Sequence, residues 1–177
     1  MKPYTRLTIE EQANAGVKTW PFTRGVPFPR GMLRDEERVA LRRDGAGLPL
    51  QRRVLSRWPD YSIMWLLLDF QLDLAPREVC EPQVVVTDEP VEKARGALEV
   101  ASEEDSLRVD TGRLQFRIDR TDFALMEDIC VNGQGLSSGR GRLIASDGAD
   151  VYLNEAAATQ EVVLEECGPL RCVIRAR

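Results

Sequence analysis

"RVLSRWPDYSIMWLLLDFQ", Arg53 to Gln71, is the stretch whose reading decides the fold. Val54, Ser56 and Trp58 alternate against Leu55 and Arg57, as side chains do on an extended strand. Pro59 presets φ and Asp60 can bond its own backbone, so Pro59-Asp60 supplies a turn. The return run from Ile63 to Leu68 is unbroken apolar, with Ile63, Trp65 and Leu67 on one face and Met64, Leu66, Leu68 and Phe70 on the other. A strand apolar on both faces belongs at the centre of a sheet or in the wall of a closed barrel. The segment is therefore a hairpin, Asp69 needs an edge position or a hydrogen-bonded partner, and Trp65 is expected in the core.

Outward from the hairpin the same pattern repeats. Short alternating runs are separated by Gly, Pro, Asp and Asn, and helical spacing is almost absent, so the chain reads as all-β. Strands are expected at Arg6–Gln12, Val17–Phe22, Arg38–Arg42, Leu50–Trp58, Ser62–Gln71 and Val79–Thr87. A second series is expected at Ala97–Ala101, Leu107–Asp110, Leu114–Asp119, Leu125–Val131, Arg142–Ser146, Val151–Asn154, Thr159–Glu165 and Leu170–Arg175. In "RDEERVA" Asp35 can cap a single helical turn. The polar stretch "TDEPVEKARG", Thr87 to Gly96, reads as a connection, placing one domain over 1–88, a linker over 89–96 and a second domain over 97–177. The last residues, "RCVIRAR", alternate as a half-buried strand and then stop, which leads us to expect that the second domain is incomplete and that the parent chain is longer.

Composition narrows the function. Among 177 residues, 43% are apolar and 30% charged, enough for a folded core. The 29 acidic against 24 basic residues give a net charge of -5, which opposes binding to a phosphate backbone, so no nucleic-acid partner is expected. The N-terminus "MKPYTRLTIEEQ" has no apolar h-region and no window suits a membrane span; the expectation is a cytoplasmic chain, or a secreted one if a leader has been removed. Histidine is absent, removing the commonest general base and zinc nitrogen ligand. Cys80, Cys130, Cys167 and Cys172 are scattered, and "CGPLRC" lacks the two-residue gap of a zinc or redox pair, so buried free thiols are expected, a disulfide being the alternative. The carboxylates of Glu103–Asp105 and Asp147–Asp150 lack EF-hand spacing and read as solvated turns; no metal or other cofactor is expected, calcium at these turns being the one alternative.

"TRGVPFPRGMLRD", Thr23 to Asp35, is the second informative stretch. Pro27 and Pro29 cannot both donate to a ladder, so the chain should leave its sheet there, with Phe28 plugging a barrel end and Gly25 and Gly31 allowing turns. Arg24 and Arg30 could hold an acidic ligand such as a uronate carboxylate, or could bond backbone carbonyls in a rigid closing loop. Trp20, followed by Pro21, and Trp58, at the turn, are the two indoles with a chance of presenting a sugar-stacking face.

Taken together, "GVPFPRGMLRD" and then "LPLQRRVLSRWPDYSIMWLLLDFQ" resemble the N-terminal RIFT-barrel domain of the rhamnogalacturonan exolyase/YetA-like family of polysaccharide lyases. The resemblance covers roughly Gly25 to Thr87 and departs at Tyr61, where that family's turn usually carries glycine. It implies a small RIFT-type β-barrel followed by a central antiparallel β-sandwich, begun here after Gly96 and incomplete, and a C-terminal α/α toroid that is missing. It also implies β-elimination at a uronate unit, needing a base at C5, charge to stabilise the enolate-like carboxylate and an acid for the leaving oxygen. No catalytic residue transfers onto this sequence. The expected role is a non-catalytic β region of a lyase on rhamnogalacturonan-like polysaccharide, its partners being the remaining domains and an acidic oligosaccharide; the alternative is a carbohydrate-binding or structural β module without activity.

Overall fold

The computed structural model describes residues 2–137, 139–153 and 161–177. These divide into two compact units, Met1–Arg95 and Gly96–Arg177.

Unit 1 runs through β1 (Lys2–Arg6), β2 (Ile9–Glu10), β3 (Val17–Pro27), a 3-10 turn (Glu36–Arg38), β4 (Val39–Arg43), β5 (Ala46–Leu48), β6 (Leu50–Arg57), β7 (Ile63–Leu74), β8 (Val79–Cys80) and β9 (Gln83–Val86). All pairings are antiparallel, in sheets ordered β1-β9-β4-β5, β3-β7-β6 and β2-β8. One apolar core joins them, holding Ile9 from β2, Val26 from β3, Leu41 from β4, Leu66, Leu68 and Phe70 from β7, and Val84 from β9. Each such side chain contributes roughly 1.5–3 kcal/mol when fully withdrawn from water. The expected hairpin is β6–β7, and β7 is central in its sheet because β3 covers its other edge. Pro21 and Pro27 are tolerated in β3 because it is an edge strand.

Three expectations for this unit need correction. Trp65 is not core: it is 42% exposed and Leu67 on the same face is half-buried, so that face of β7 is only partly covered. Register shifts at Val54/Ser56 and Ser56/Arg57 break strict alternation at this end of the hairpin, leaving Ile63 buried and Trp65 outward although they share a parity. β3 runs past the expected end at Phe22 and leaves the sheet at Pro27, where the prolines led us to expect it, and the stretch read as Arg6–Gln12 divides between β1 and β2. The helical expectation holds in miniature, Asp35 accepting the Glu37 amide at 2.9 Å to cap the 3-10 turn.

Unit 2 opens with an antiparallel meander, β10 (Glu99–Ser102), β11 (Ser106–Asp110), β12 (Leu114–Asp119), β13 (Glu127–Val131) and β14 (Gln134–Ser137). Two hairpins follow, β15 (Ile144–Ser146) with β16 (Val151–Leu153) and β17 (Val162–Cys167) with β18 (Cys172–Ala176). Asn154 and residues 159–160 of the expected strands lie outside the described residues. Leu107, Ile118 and Val162 form the buried centre, with Phe116, Leu164 and Ile174 packed against it. Around it runs an ion-pair network: Arg117 pairs with Asp119, Glu127 and Asp128, and Arg140 with Asp122 and the buried Glu127. The thiols differ from expectation too: only Cys80 is buried, Cys130 and Cys172 are half-buried and Cys167 is exposed. Burial follows the register rather than the composition, because Cys167 ends a strand at a hairpin tip.

Candidate functional site

The two stretches that stood out in the sequence meet in space. Phe28, 2% exposed, donates its amide to Met64 O at 2.9 Å, and Tyr4 stacks on its ring with centroids 4.6 Å apart. The Tyr4 hydroxyl then donates to Pro27 O at 2.6 Å. Phe28 is buried as anticipated, held from two sides.

The hairpin turn holds the following loop. Trp58 Nε1 donates to Phe28 O at 3.0 Å, and Ile63 N donates to Leu33 O at 2.6 Å. Ser62, fully buried, accepts the Gly31 amide at 2.8 Å and donates its hydroxyl to Asp60 Oδ1 at 2.6 Å. Gly31 sits at φ +78, which only glycine adopts freely. At the neighbouring position, Tyr61 adopts φ +64 with an ordinary side chain.

Around this junction lie more guanidinium groups than the sequence reading singled out. Arg30 reaches Asp60 at 3.6 Å, Arg34 donates to Asp60 O at 2.6 Å, and Arg57 donates to Arg34 O and Tyr61 O, each at 3.0 Å, while also pairing with Glu36 at 3.5 Å. The Ser62 hydroxyl bond first, then the Ser62 amide and the nearby Arg30 and Arg34 charges, hold the Asp60 carboxyl below its usual range. A carboxyl pushed in that direction is a poor general base near neutrality. The bonds and ion pairs of the junction hold the loop against the hairpin turn.

Trp20 is the other candidate. A register shift between Val17 and Trp20 leaves Thr19 at φ +52, an unusual conformation for a β-branched residue, and Asp73 holds it by accepting the Thr19 amide at 2.6 Å. Trp20 pairs with the buried Leu72 yet is itself 54% exposed. Beside it Thr19, Asp73, Gln71 and Arg43 line a shallow cleft. From Trp20 the register runs regularly, so the exposed Arg24 stands on the same side of β3, four residues or about 13 Å further along. Its guanidinium donates to Thr23 O at 3.0 Å.

Of the four residues singled out from the sequence, then, Arg30 and Trp58 gather at the loop–turn junction and Trp20 and Arg24 share the β3 edge. Trp58 is half-buried with its indole N–H committed. Trp65, read as core, lies over Gly25, where an added Cβ would meet its ring at 3.5 Å. Arg34 and Arg57 were missed because nothing in the local sequence marks an arginine that bonds backbone carbonyls across the loop–turn contact. In unit 2, Asp147 accepts the Ala149 and Asp150 amides at 3.0 and 2.9 Å, and Glu103 accepts the Ser106 hydroxyl at 3.0 Å; both carboxylates hold turns. Among the described residues no helix is long and apolar enough to cross a membrane.

Antiparallel sheets wrapped around one apolar core are what a small β-barrel domain requires. Residues 7–73 match the model of the PcRGLX-like N-terminal RIFT barrel domain, a span that runs from β2 through nearly all of β7. No curated protein matches the chain.

Proposed function

We propose that this chain is a non-catalytic β region of a polysaccharide lyase-like protein acting by β-elimination on uronate-containing, rhamnogalacturonan-like polysaccharide. The supporting observation is the RIFT-barrel match over residues 7–73. On this reading unit 2 begins the central sandwich, and base, acid and enolate stabilisation come from other domains. The barrel braces them, and its arginines face an acidic sugar.

A second, compatible reading is carbohydrate binding on the barrel itself, favoured by Trp20 exposed on the β3 edge with Arg24 on the same side. An indole face stacks on a sugar ring while a guanidinium takes a carboxylate further along the same oligosaccharide. Arg30 and Trp58, at the junction, contribute less because their groups already have partners.

Both readings are tested on the purified chain. Incubation with rhamnogalacturonan fragments should give no rise in the absorbance of unsaturated product, and sustained turnover would place the active site here after all. Calorimetric titration with the same fragments should show weak binding, lost in Trp20→Ala and reduced in Arg24→Ala, with melting temperatures unchanged. Binding unaffected by both substitutions would remove the β3 edge from consideration.

A further inference from the structure

Cys167 ends β17, Cys172 begins β18, and the two stand directly opposite each other in the antiparallel register. Between them Gly168-Pro169-Leu170-Arg171 make a tight turn, the Gly168 amide donating to Arg171 O at 3.1 Å. That bond marks Gly168 and Arg171 as a hydrogen-bonded pair. Such pairs alternate along an antiparallel ladder, so Cys167 and Cys172 form a non-hydrogen-bonded pair, the kind whose Cα atoms stand about 4.5 Å apart with side chains on one face. A disulfide spans Cα separations of roughly 4.4–6.8 Å. The two thiols already sense each other: burial pushes the Cys172 thiol up, and Cys167 beside it adds to the rise.

The turn between them is also fixed in place. A Cβ on Gly96 would fall 1.8 Å from Pro169 O, so the backbone at the start of unit 2 lies against the hairpin tip and only glycine fits there. Cys167 is exposed and meets an oxidant first. The other two thiols have no such neighbour in register: Cys80 faces Ile9, and Cys130 faces Gln115 and Gly135.

We propose that Cys167 and Cys172 are a thiol–disulfide pair that closes across the tip of the β17–β18 hairpin. The oxidant is a low-molecular-weight disulfide. The Cys167 thiolate attacks one of its sulfurs and expels the first thiol, giving a mixed disulfide at Cys167. The Cys172 thiolate then attacks the Cys167 sulfur and expels the second. One small disulfide is reduced to two thiols, the protein dithiol is oxidised to one bridge, and the protons lost from Cys167 and Cys172 appear on the two released thiols. In a reducing compartment the pair rests open, and in an oxidising one it closes.

The test equilibrates the folded 177-residue protein with glutathione buffers of increasing oxidised fraction, blocks free thiols by alkylation and digests with trypsin. Arg171 lies between the two cysteines, so cleavage after it yields two peptides that remain joined only if the bridge has formed. The joined species should rise with the oxidised fraction in wild type and be absent from Cys167→Ser, whose Cys172 should instead carry a glutathione adduct. Cys80 and Cys130 should stay out of the linkage. Full alkylation of both cysteines across the series, separate glutathione adducts on each, or a bridge only between molecules would each overturn the proposal.

Discussion

The two units reach stability by different routes. Unit 1 gathers fifteen buried apolar residues into one cluster, whereas the corresponding cluster of unit 2 has three among the described residues. Unit 2 compensates with charge: Arg117, Arg140 and Arg175 each engage two or more carboxylates, and buried Glu127 takes both Arg117 and Arg140. Apolar burial has no charge to screen and no proton to gain, whereas ion pairs depend on both screening and protonation. The barrel should therefore yield to cavities and the second unit to protons.

The largest effect is expected at Phe28. Phe28→Ala removes a ring buried to 2% and stacked on Tyr4, and a Phe-to-Ala change in a core costs about 3–5 kcal/mol. Trp20, Trp58 and Trp65 all lie in unit 1, so denaturation followed by tryptophan fluorescence reports that unit selectively. A loss under about 1 kcal/mol would mean that the loop carrying Phe28 is an accessory to the barrel, not its stopper.

The same contrast governs how far the sequence could be read. The all-β class, the β6–β7 hairpin and the burial of Phe28 were legible because apolar alternation and proline chemistry are local. β5 and β14 were not read as strands, although each follows a two-residue turn with both φ positive, Asp44-Gly45 at +51 and +82 and Asn132-Gly133 at +50 and +79. Asp-Gly and Asn-Gly are strong hairpin signals; the return strands, "AGL" and "QGLS", are too short and too glycine-rich for the alternation to show. The exposure of Trp65 depends on register shifts that composition does not record. Likewise the Thr19 bulge, which accompanies the outward Trp20, is held by Asp73, fifty-four residues away. Local chemistry was readable at the candidate site, and long-range pairing was not.

Acid should produce the next largest effect, and in the other unit. Amide bonds from Asp122 and Thr121, joined by the Thr121 hydroxyl and Arg117, hold Asp119 down to about 2. Arg140 lowers Asp122 and Arg175 lowers Glu161 in the same direction. A carboxyl lowered in the folded state binds fewer protons there than in the unfolded chain. Its contribution is thus complete above the unfolded value of about 4 and is lost as pH falls through the folded value. Hydrogen exchange at the β11–β13 amides, corrected for intrinsic rates, should lose protection between about pH 4 and pH 2, and Asp119→Asn should flatten that dependence. Protection unchanged across the window would show that the ion network is decorative and that the small apolar cluster carries unit 2 alone.

The smallest effect sharpens the comparison from inside unit 1. Tyr61 is 78% exposed, so its ring contributes little burial, yet its backbone sits at φ +64 in the tightest turn of the barrel hairpin. The left-handed conformation costs a non-glycine residue about 1–2 kcal/mol. Glycine removes that strain but releases more entropy on unfolding, roughly 0.4–1 kcal/mol in the opposite direction. Tyr61→Gly should then stabilise the barrel by some tenths to about 1 kcal/mol, seen as a higher midpoint by tryptophan fluorescence. The Tyr61 amide bond to Trp58 O at 2.9 Å and the Trp58 amide bond to Ser62 O at 2.8 Å survive the change. A destabilised variant would mean that the tyrosine ring has a contact worth more than the backbone strain, and would point to the turn itself, between Arg57 and Arg34, as a surface where that ring is used.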